Sequence, residues 1–143
     1  MFTATKIRLY PTVEQSIAFA KQFGCARWAY NNALAECQKH YRETGKSLTY
    51  AKLSVRLPAL KQKFEWLKEA DAQALQQSLQ HLSRAFENFF AKRCSYPTFK
   101  SKRDKQSYAY PQRVKIEGNR IYCPKVGWVR CVVHREIIGK MKT

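Results

Sequence analysis

A run of cations between aromatic residues is the part of this sequence whose residue types best suit binding chemistry. The cations are Lys100, Lys102, Arg103 and Lys105. The rings on either side are Tyr96, Phe99, Tyr108 and Tyr110. Cations pair with phosphates and rings stack on bases, so the pattern predicts binding of single-stranded or irregular nucleic acid. The alternative is a solvated basic loop whose aromatic side chains turn into the core.

The charge of the whole chain supports the first interpretation. The 143 residues contain 27 Lys and Arg against 10 Asp and Glu, a formal net charge of +17. Residues 92–143 hold 14 basic against 3 acidic side chains, and residues 1–91 hold 13 against 7. A field of this size attracts polyanions. We therefore add Arg8 and Arg113 to the predicted nucleic-acid-binding residues.

Two glutamines form a second candidate binding site. Gln76 and Gln80 stand one helical turn apart in a segment with helical apolar spacing. A helix fits the major groove, and a glutamine amide can bond the adenine edge there. The alternative is that glutamine is simply a good exposed helix former.

Enzyme, metal and membrane functions find little support. Asp71 and Asp104 are the only aspartates, and the glutamates are scattered among Lys and Arg. These carboxylates fit helix ends or surface ion pairs better than a metal-dependent nuclease centre. No nucleophile motif, phosphate-binding glycine loop or zinc-type Cys or His spacing occurs, so we predict no catalytic residue, metal or cofactor. The five dispersed cysteines suggest reduced thiols. With no apolar stretch long enough for a bilayer, we expect a cytoplasmic, nucleoid-associated protein without a membrane partner.

The elements that position these residues follow from local patterns. Residues 2–10 alternate as a strand, and a capping box at Thr12 begins a helix that runs to Gly45. Gly24, inside that helix, suggests a kink or a close backbone approach. A short helix is predicted from Tyr50 to a limit at Pro58, and a long one from Leu75 to Arg93.

After residue 93 the sequence changes to short alternating runs. The E-G-N turn at residues 117–119 predicts a β-hairpin, and residues 126–133 supply another strand. The fold class is therefore α+β. We predict a small antiparallel β domain from residues 1–11 plus 95–143, with residues 12–94 inserted as a helical bundle.

Several motifs together resemble the N-terminal region of the TnpB/OrfB family, transposon-encoded RNA-guided DNA endonucleases related to type V CRISPR effectors. The motifs are RLYPTVEQ (8–15), FGCARWAYNNAL (23–34), LTYAKLS (48–54), ALQQSLQHLSRAFENFF (74–90), YPTFKSK (96–102) and PKVGWVR (124–130). They cover nearly the whole chain in the family's order. This N-terminal region is often described as a helix-turn-helix region.

The resemblance implies roles for both predicted parts. The β domain would be an oligonucleotide-binding-like wedge barrel that grips structured guide RNA, and the helices would be the recognition lobe. Both lobes together would read duplex DNA beside the target. By the matching of positions, the family residues that contact the DNA motif beside the target correspond to Tyr50, Ser54 and Gln76. For Tyr50, core packing is the alternative. A family lysine contact falls at Ala72, where this chain departs from the pattern.

The resemblance also implies what the chain lacks. In the family, the RuvC-like carboxylates and zinc-binding cysteines follow the matched region, so we expect a module that is not itself an enzyme. The wedge barrel is expected to be incomplete, with Val126, Trp128 and Val132 at an open edge. Two alternatives remain: half of a split endonuclease with a separately encoded nuclease partner, or a decayed fragment.

Overall fold

The computed structural model describes residues 3–133 and 141. The start of the predicted first strand and the end of the predicted β domain lie outside these residues. The described chain combines helices with an antiparallel sheet of four strands in the order β1-β4-β3-β2. Among the described residues, these four strands do not close into a barrel. The predicted α+β class is therefore confirmed.

The first strand and the first helix begin where the sequence places their signals. Strand β1 (Arg8–Tyr10) precedes helix α1 (Val13–Thr44). The Thr12 hydroxyl accepts from the backbone N–H of Gln15, and the Gln15 side chain accepts from that of Thr12, which confirms the capping box. Gly45 ends the helix in the left-handed conformation at φ +70°. The strand is shorter than predicted.

Pro58 does not end a helix, contrary to the sequence prediction. Helix α2 (Tyr50–Val55) stops earlier, and Pro58 lies in the first turn of a separate helix, α3 (Leu57–Lys63). Proline is tolerated there because the first turn has no partner for its missing N–H. A 3₁₀ helix (Glu65–Glu69) follows α3. The local pattern could not distinguish a proline that stops one helix from one that begins the next.

Helix α4 (Ala72–Phe90) supplies most of the remaining helical core. Its N-cap is Asp71, whose carboxylate accepts from the Ala74 N–H at 3.1 Å. Asp71 therefore has the helix-end role that the sequence favoured. The shared core of the helices lies between α1, α2, α3 and α4, around Leu34, Leu53, Leu57, Leu67, Leu75, Leu79 and Leu82.

The sheet joins the two ends of the described chain. Strands β2 (Lys115–Glu117) and β3 (Arg120–Cys123) form the predicted hairpin, with Gly118 at φ +57° in its turn. Strand β4 (Gly127–Val132) pairs with β3 on one side and with β1 on the other. The expectation that Val126, Trp128 and Val132 lie at an open edge is wrong for Trp128 and Val132, because β4 is central among the described strands and the edges are β1 and β2. Val126 lies before β4, in the turn where its N–H donates to the Cys123 carbonyl at 3.0 Å. The assignment of residues 1–11 plus 95–143 and 12–94 to separate domains stays a prediction.

Candidate nucleic-acid interface

The basic loop, residues 96–107, is attached to helix α1. Asn31 accepts from the Lys100 backbone N–H at 2.8 Å and donates to the Lys100 carbonyl at 2.9 Å. The Lys100 ammonium lies 4.3 Å from the centre of the Tyr30 ring. This placement removes part of its water, and that desolvation lowers the pKa of Lys100. The loop backbone is therefore fixed on α1 at Lys100, while Lys102, Arg103 and Lys105 remain exposed.

A short turn presents those other cations. The Asp104 carboxylate accepts from the Ser101 N–H at 2.9 Å, and the Ser101 hydroxyl accepts from the Arg103 N–H at 3.2 Å. Lys102, Arg103 and Lys105 are exposed around this turn. Asp104 therefore serves as a turn residue, and Lys102, Arg103 and Lys105 around it are available to phosphates.

A cavity of about 320 Å³ lies between the basic loop, α1 and α4. Arg27, Lys100, Lys105 and His81 contribute to its walls. Burial, together with the charges of Lys100 and Arg84, lowers the pKa of His81. The Arg27 guanidinium donates to the Gln106 side chain at 3.2 Å. The basic loop and α4 therefore line the same cavity.

Tyr108 lies on the core side of the loop. Its ring meets Phe23 edge-to-face with 5.1 Å between centroids. The Tyr110 hydroxyl donates to the Pro124 carbonyl at 2.9 Å, so its bond of 2.6 Å with Tyr108 uses the Tyr108 proton. Burial raises the pKa of Tyr108 to about 12, and burial also raises that of Tyr110. Its contacts give Tyr108 a packing role, and base stacking by this residue stays a prediction.

Arg113 is engaged within the chain. Its guanidinium donates to the carboxylate of Asp71, whose side chain is only 3% exposed. The Asp71 backbone N–H donates to the Gln22 side chain at 3.2 Å. Arg113 therefore connects the segment before β2 with the start of α4 and with α1, and its predicted contact with nucleic acid is untested.

The predicted motif-reading residues lie on two helices that pack together, α2 and α4. Tyr50 begins α2 and is half-buried against the helical core, and Ser54 is half-buried one turn later. Gln76 and Gln80 are both exposed on α4. Ala72, where the family pattern has a lysine, is the first residue of α4. The structure thus leaves the two glutamines accessible to a ligand, whereas Tyr50 also packs.

One face of the sheet combines Arg8, which the sequence predicted to bind nucleic acid, with arginines and aromatic residues that were not predicted. The Arg8 and Arg130 guanidiniums each lie 5.8 Å from the centre of the Tyr10 ring. The Arg120 guanidinium lies 5.4 Å from the Trp128 ring. Strand alternation could place residues 128 and 130 on one side of their own strand. That residue 120 lies on the same side follows only from the pairing of β3 with β4, which the sequence does not reveal.

Residues 3–133 and 141 contain no group of three or more His, Cys, Asp or Glu side chains that could hold a metal ion. Cys94 is exposed, and the other four cysteines, all free thiols, are buried. None of the described helices is both long enough and apolar enough to cross a membrane.

Comparisons with known proteins identify relatives for most of the chain. Residues 1–46 match a helix-turn-helix domain model of the OrfB/IS605 type; their described part contains β1 and α1. The chain is 37% identical over 143 residues to the "Putative RNA-guided DNA endonuclease InsQ" of Escherichia coli K12, covering 97% of this chain and 36% of that protein. It is 39% identical over 108 residues to a "Putative RNA-guided DNA endonuclease" of Streptomyces pristinaespiralis, covering 74% of this chain and 27% of the relative.

A third relative is much shorter. The "Virulence protein VsdF" of Salmonella dublin is 38% identical over 116 residues, which cover 73% of this chain and 98% of the relative. The chain thus spans about a third of the length of the two endonuclease relatives and nearly all of VsdF.

Proposed function

Because the chain belongs to the TnpB/OrfB family, whose N-terminal region it matches, we propose that it is a nucleic-acid-binding module for a guide-type RNA and for the duplex DNA that flanks a target. In this proposal the segment contributes binding, and cleavage would depend on a nuclease centre outside it. A separately encoded nuclease half is a further proposed partner.

The observation that carries the RNA part is the attachment of the basic loop. Asn31 fixes the backbone at Lys100, while Lys102, Arg103 and Lys105 stay exposed. Fixing the loop before binding reduces the conformational entropy that binding costs. The net charge of +17 adds long-range attraction for a polyanion. These features support an RNA surface that is built before the RNA arrives.

The exposed face of α4 supports the DNA part. Gln76 and Gln80 both present amides to solvent, and α2 with Ser54 packs beside α4. An amide that meets an adenine edge in the major groove discriminates between bases. We therefore propose that Gln76, with Gln80, Tyr50 and Ser54, reads the flanking motif.

Charge neutralisation in the loop tests the RNA part. A variant with Gln at positions 100, 102, 103 and 105 is compared with one that replaces Lys39, Arg42, Lys46 and Lys68, four exposed cations on other elements. Both variants lose the same charge. We expect the loop variant alone to reduce the slope of log affinity for structured RNA against log salt by about 3. Equal slopes for the two variants would place the RNA elsewhere.

The DNA part is tested by base preference. Wild-type protein with bound RNA selects from a randomised DNA duplex pool, and Gln76→Ala is compared with Gln62→Ala, an exposed glutamine on α3. We expect Gln76→Ala to lose about 5- to 100-fold of discrimination at one or two base pairs while its RNA affinity is unchanged. An unaltered base preference would remove Gln76 from the proposed site.

A further inference from the structure

The outer face of the sheet carries a cluster of cations and rings separate from the basic loop. Residues directly opposite each other in an antiparallel pair have side chains on the same face. Tyr10 stands opposite Arg130 in the β1–β4 pair, and Arg120 stands opposite Arg130 in the β3–β4 pair. Tyr122 likewise stands opposite Trp128. The outer face is defined here by Arg8, Tyr10, Arg120, Tyr122, Trp128 and Arg130.

The opposite face of the same strands belongs to the core. Val129 is fully buried, Cys131 is 1% exposed and Cys123 is 4% exposed. The outer face differs sharply: Tyr10 is 46% exposed, and Arg8, Arg120 and Arg130 are exposed. Its residues are therefore not needed to fill the interior of the sheet.

Arg120 and Arg130 form an unusual pair for a surface without a ligand. Like charges directly opposite each other across two strands are destabilising. Within residues 3–133 and 141, the three ion pairs involve Lys21, Arg56 and Arg113, and none involves an arginine of the outer face.

On the β2 side, Glu117 stands opposite Arg120 and Lys115 stands opposite Tyr122, so both also lie on this face. The Glu117 carboxylate and the aromatic rings offset part of the positive charge. Arg8, Lys115, Arg120 and Arg130 still outnumber this one carboxylate, which favours an anion on the face.

The alternation of rings with guanidiniums defines which anion fits. Unpaired bases stack on aromatic side chains and on guanidinium planes, and the phosphates between them pair with the charges. The bases of a duplex are already stacked on one another and cannot use the rings. A four-stranded sheet with exposed rings therefore suits an unpaired strand better than a duplex.

We infer that the outer face of the sheet binds an unpaired segment of RNA, with a base stacked on Tyr10 and the neighbouring phosphates held by Arg130, Arg120 and Arg8. This inference rests on the proposed function, since it assigns the single-stranded part of a bound RNA to a second surface. The basic loop and the outer face would then bind different parts of one RNA.

The test compares a single-stranded RNA of about 12 nucleotides, a length within the range that sheet platforms cover, with an RNA duplex of the same length. Tyr10→Leu removes the ring and keeps apolar bulk, and Tyr10→Phe keeps the ring. Tyr41→Leu is the matched control, since Tyr41 is 61% exposed near the end of α1. Arg130→Gln is paired with Arg42→Gln, which removes the same charge from α1.

We expect Tyr10→Leu to weaken single-strand binding about 5- to 100-fold, with Tyr10→Phe and Tyr41→Leu close to wild type and duplex binding unchanged. Arg130→Gln is expected to weaken single-strand binding more than Arg42→Gln. Circular dichroism melting of Tyr10→Phe and Tyr10→Leu separates loss of the ring from loss of the fold. Equal affinity of a folded Tyr10→Leu and wild type for the single strand would overturn the inference. Wild-type protein that binds the duplex but no single strand would overturn it while leaving the proposed function intact, and binding of neither would overturn both.

Discussion

Asn31 and Lys100 are joined by a two-way hydrogen bond between a helix side chain and a loop backbone. The Asn31 oxygen accepts from the Lys100 N–H at 2.8 Å, and the Asn31 nitrogen donates to the Lys100 carbonyl at 2.9 Å. A backbone N–H can only donate and a carbonyl can only accept, so this network fixes which end of the amide is oxygen. The pair determines where the basic loop lies on α1.

Removal of this amide is expected to weaken both stability and RNA binding. Asn31→Ala loses two hydrogen bonds in an exposed position, so the free energy of unfolding should fall by about 1–2 kcal/mol. RNA affinity should fall as well, because ordering of the loop then costs conformational entropy at the binding step. Urea unfolding and fluorescence anisotropy measure the two effects. Asn32→Ala, at the next position of α1, is the control, and identical behaviour of the two variants would contradict the role of Asn31.

Arg113 is expected to matter for folding more than for binding. Arg113→Ala leaves the buried Asp71 carboxylate without its cation, which should cost about 3 kcal/mol of unfolding free energy. Arg103→Ala, in the exposed turn of the basic loop, should change stability by less than about 0.5 kcal/mol and lower RNA affinity. Thermal melts and RNA titrations of both variants check this. A stable Arg113→Ala protein with weakened RNA binding would contradict this folding role and would support the predicted contact of Arg113 with nucleic acid.

The tyrosine pair predicts a loss of stability in alkali. The pKa of Tyr108 is raised from 10.0 to about 12, and that of Tyr110 is also raised, so the folded state holds these protons more tightly than the unfolded chain does. Their contribution is fully present below pH 10 and is lost as the pH rises through 10 towards 12. Urea unfolding across that interval should show a steeper decline for wild type than for the Tyr108→Phe, Tyr110→Phe double variant. Parallel declines would exclude this pair as the cause.

Gly24 is expected to be replaceable. An added Cβ would meet only the Arg27 guanidinium, at 3.9 Å, and the helix continues through this position. Gly24→Ala should therefore raise the free energy of unfolding by about 1 kcal/mol. Gly45→Ala should lower it by about 1 kcal/mol, because Gly45 has a positive φ. A destabilised Gly24→Ala protein would support the close approach that the sequence suggested.

Local signals in the sequence predicted most of the elements. The capping box at Thr12, the stop at Gly45 and the turn at Gly118 depend on residues a few positions apart, and all three are present in the structure. Pro58 was misassigned because a proline is compatible with either end of a helix. The central place of β4 could not be predicted, since it depends on pairing with β1, more than 110 residues away.

In the candidate site, too, local patterns could be predicted from the sequence, whereas contacts between distant residues could not. The loop cations were visible as a run, and the exposed glutamines followed from helical spacing. The contact of Lys100 with Tyr30, the pairing of Arg113 with Asp71 and the outer face of the sheet all join residues distant in sequence. Spacing along the chain carries no information about such contacts, and only the fold reveals them.

The measurement that tests the central claim most directly is binding of the purified chain to RNA transcribed from beside its own gene. An unrelated RNA of equal length and a DNA duplex are compared with it, from about 50 to about 200 mM salt. We expect a strong preference for its own RNA that persists at the higher salt. Equal and steeply salt-dependent binding to all three would show that only the net charge acts, and would contradict a specific guide-RNA module.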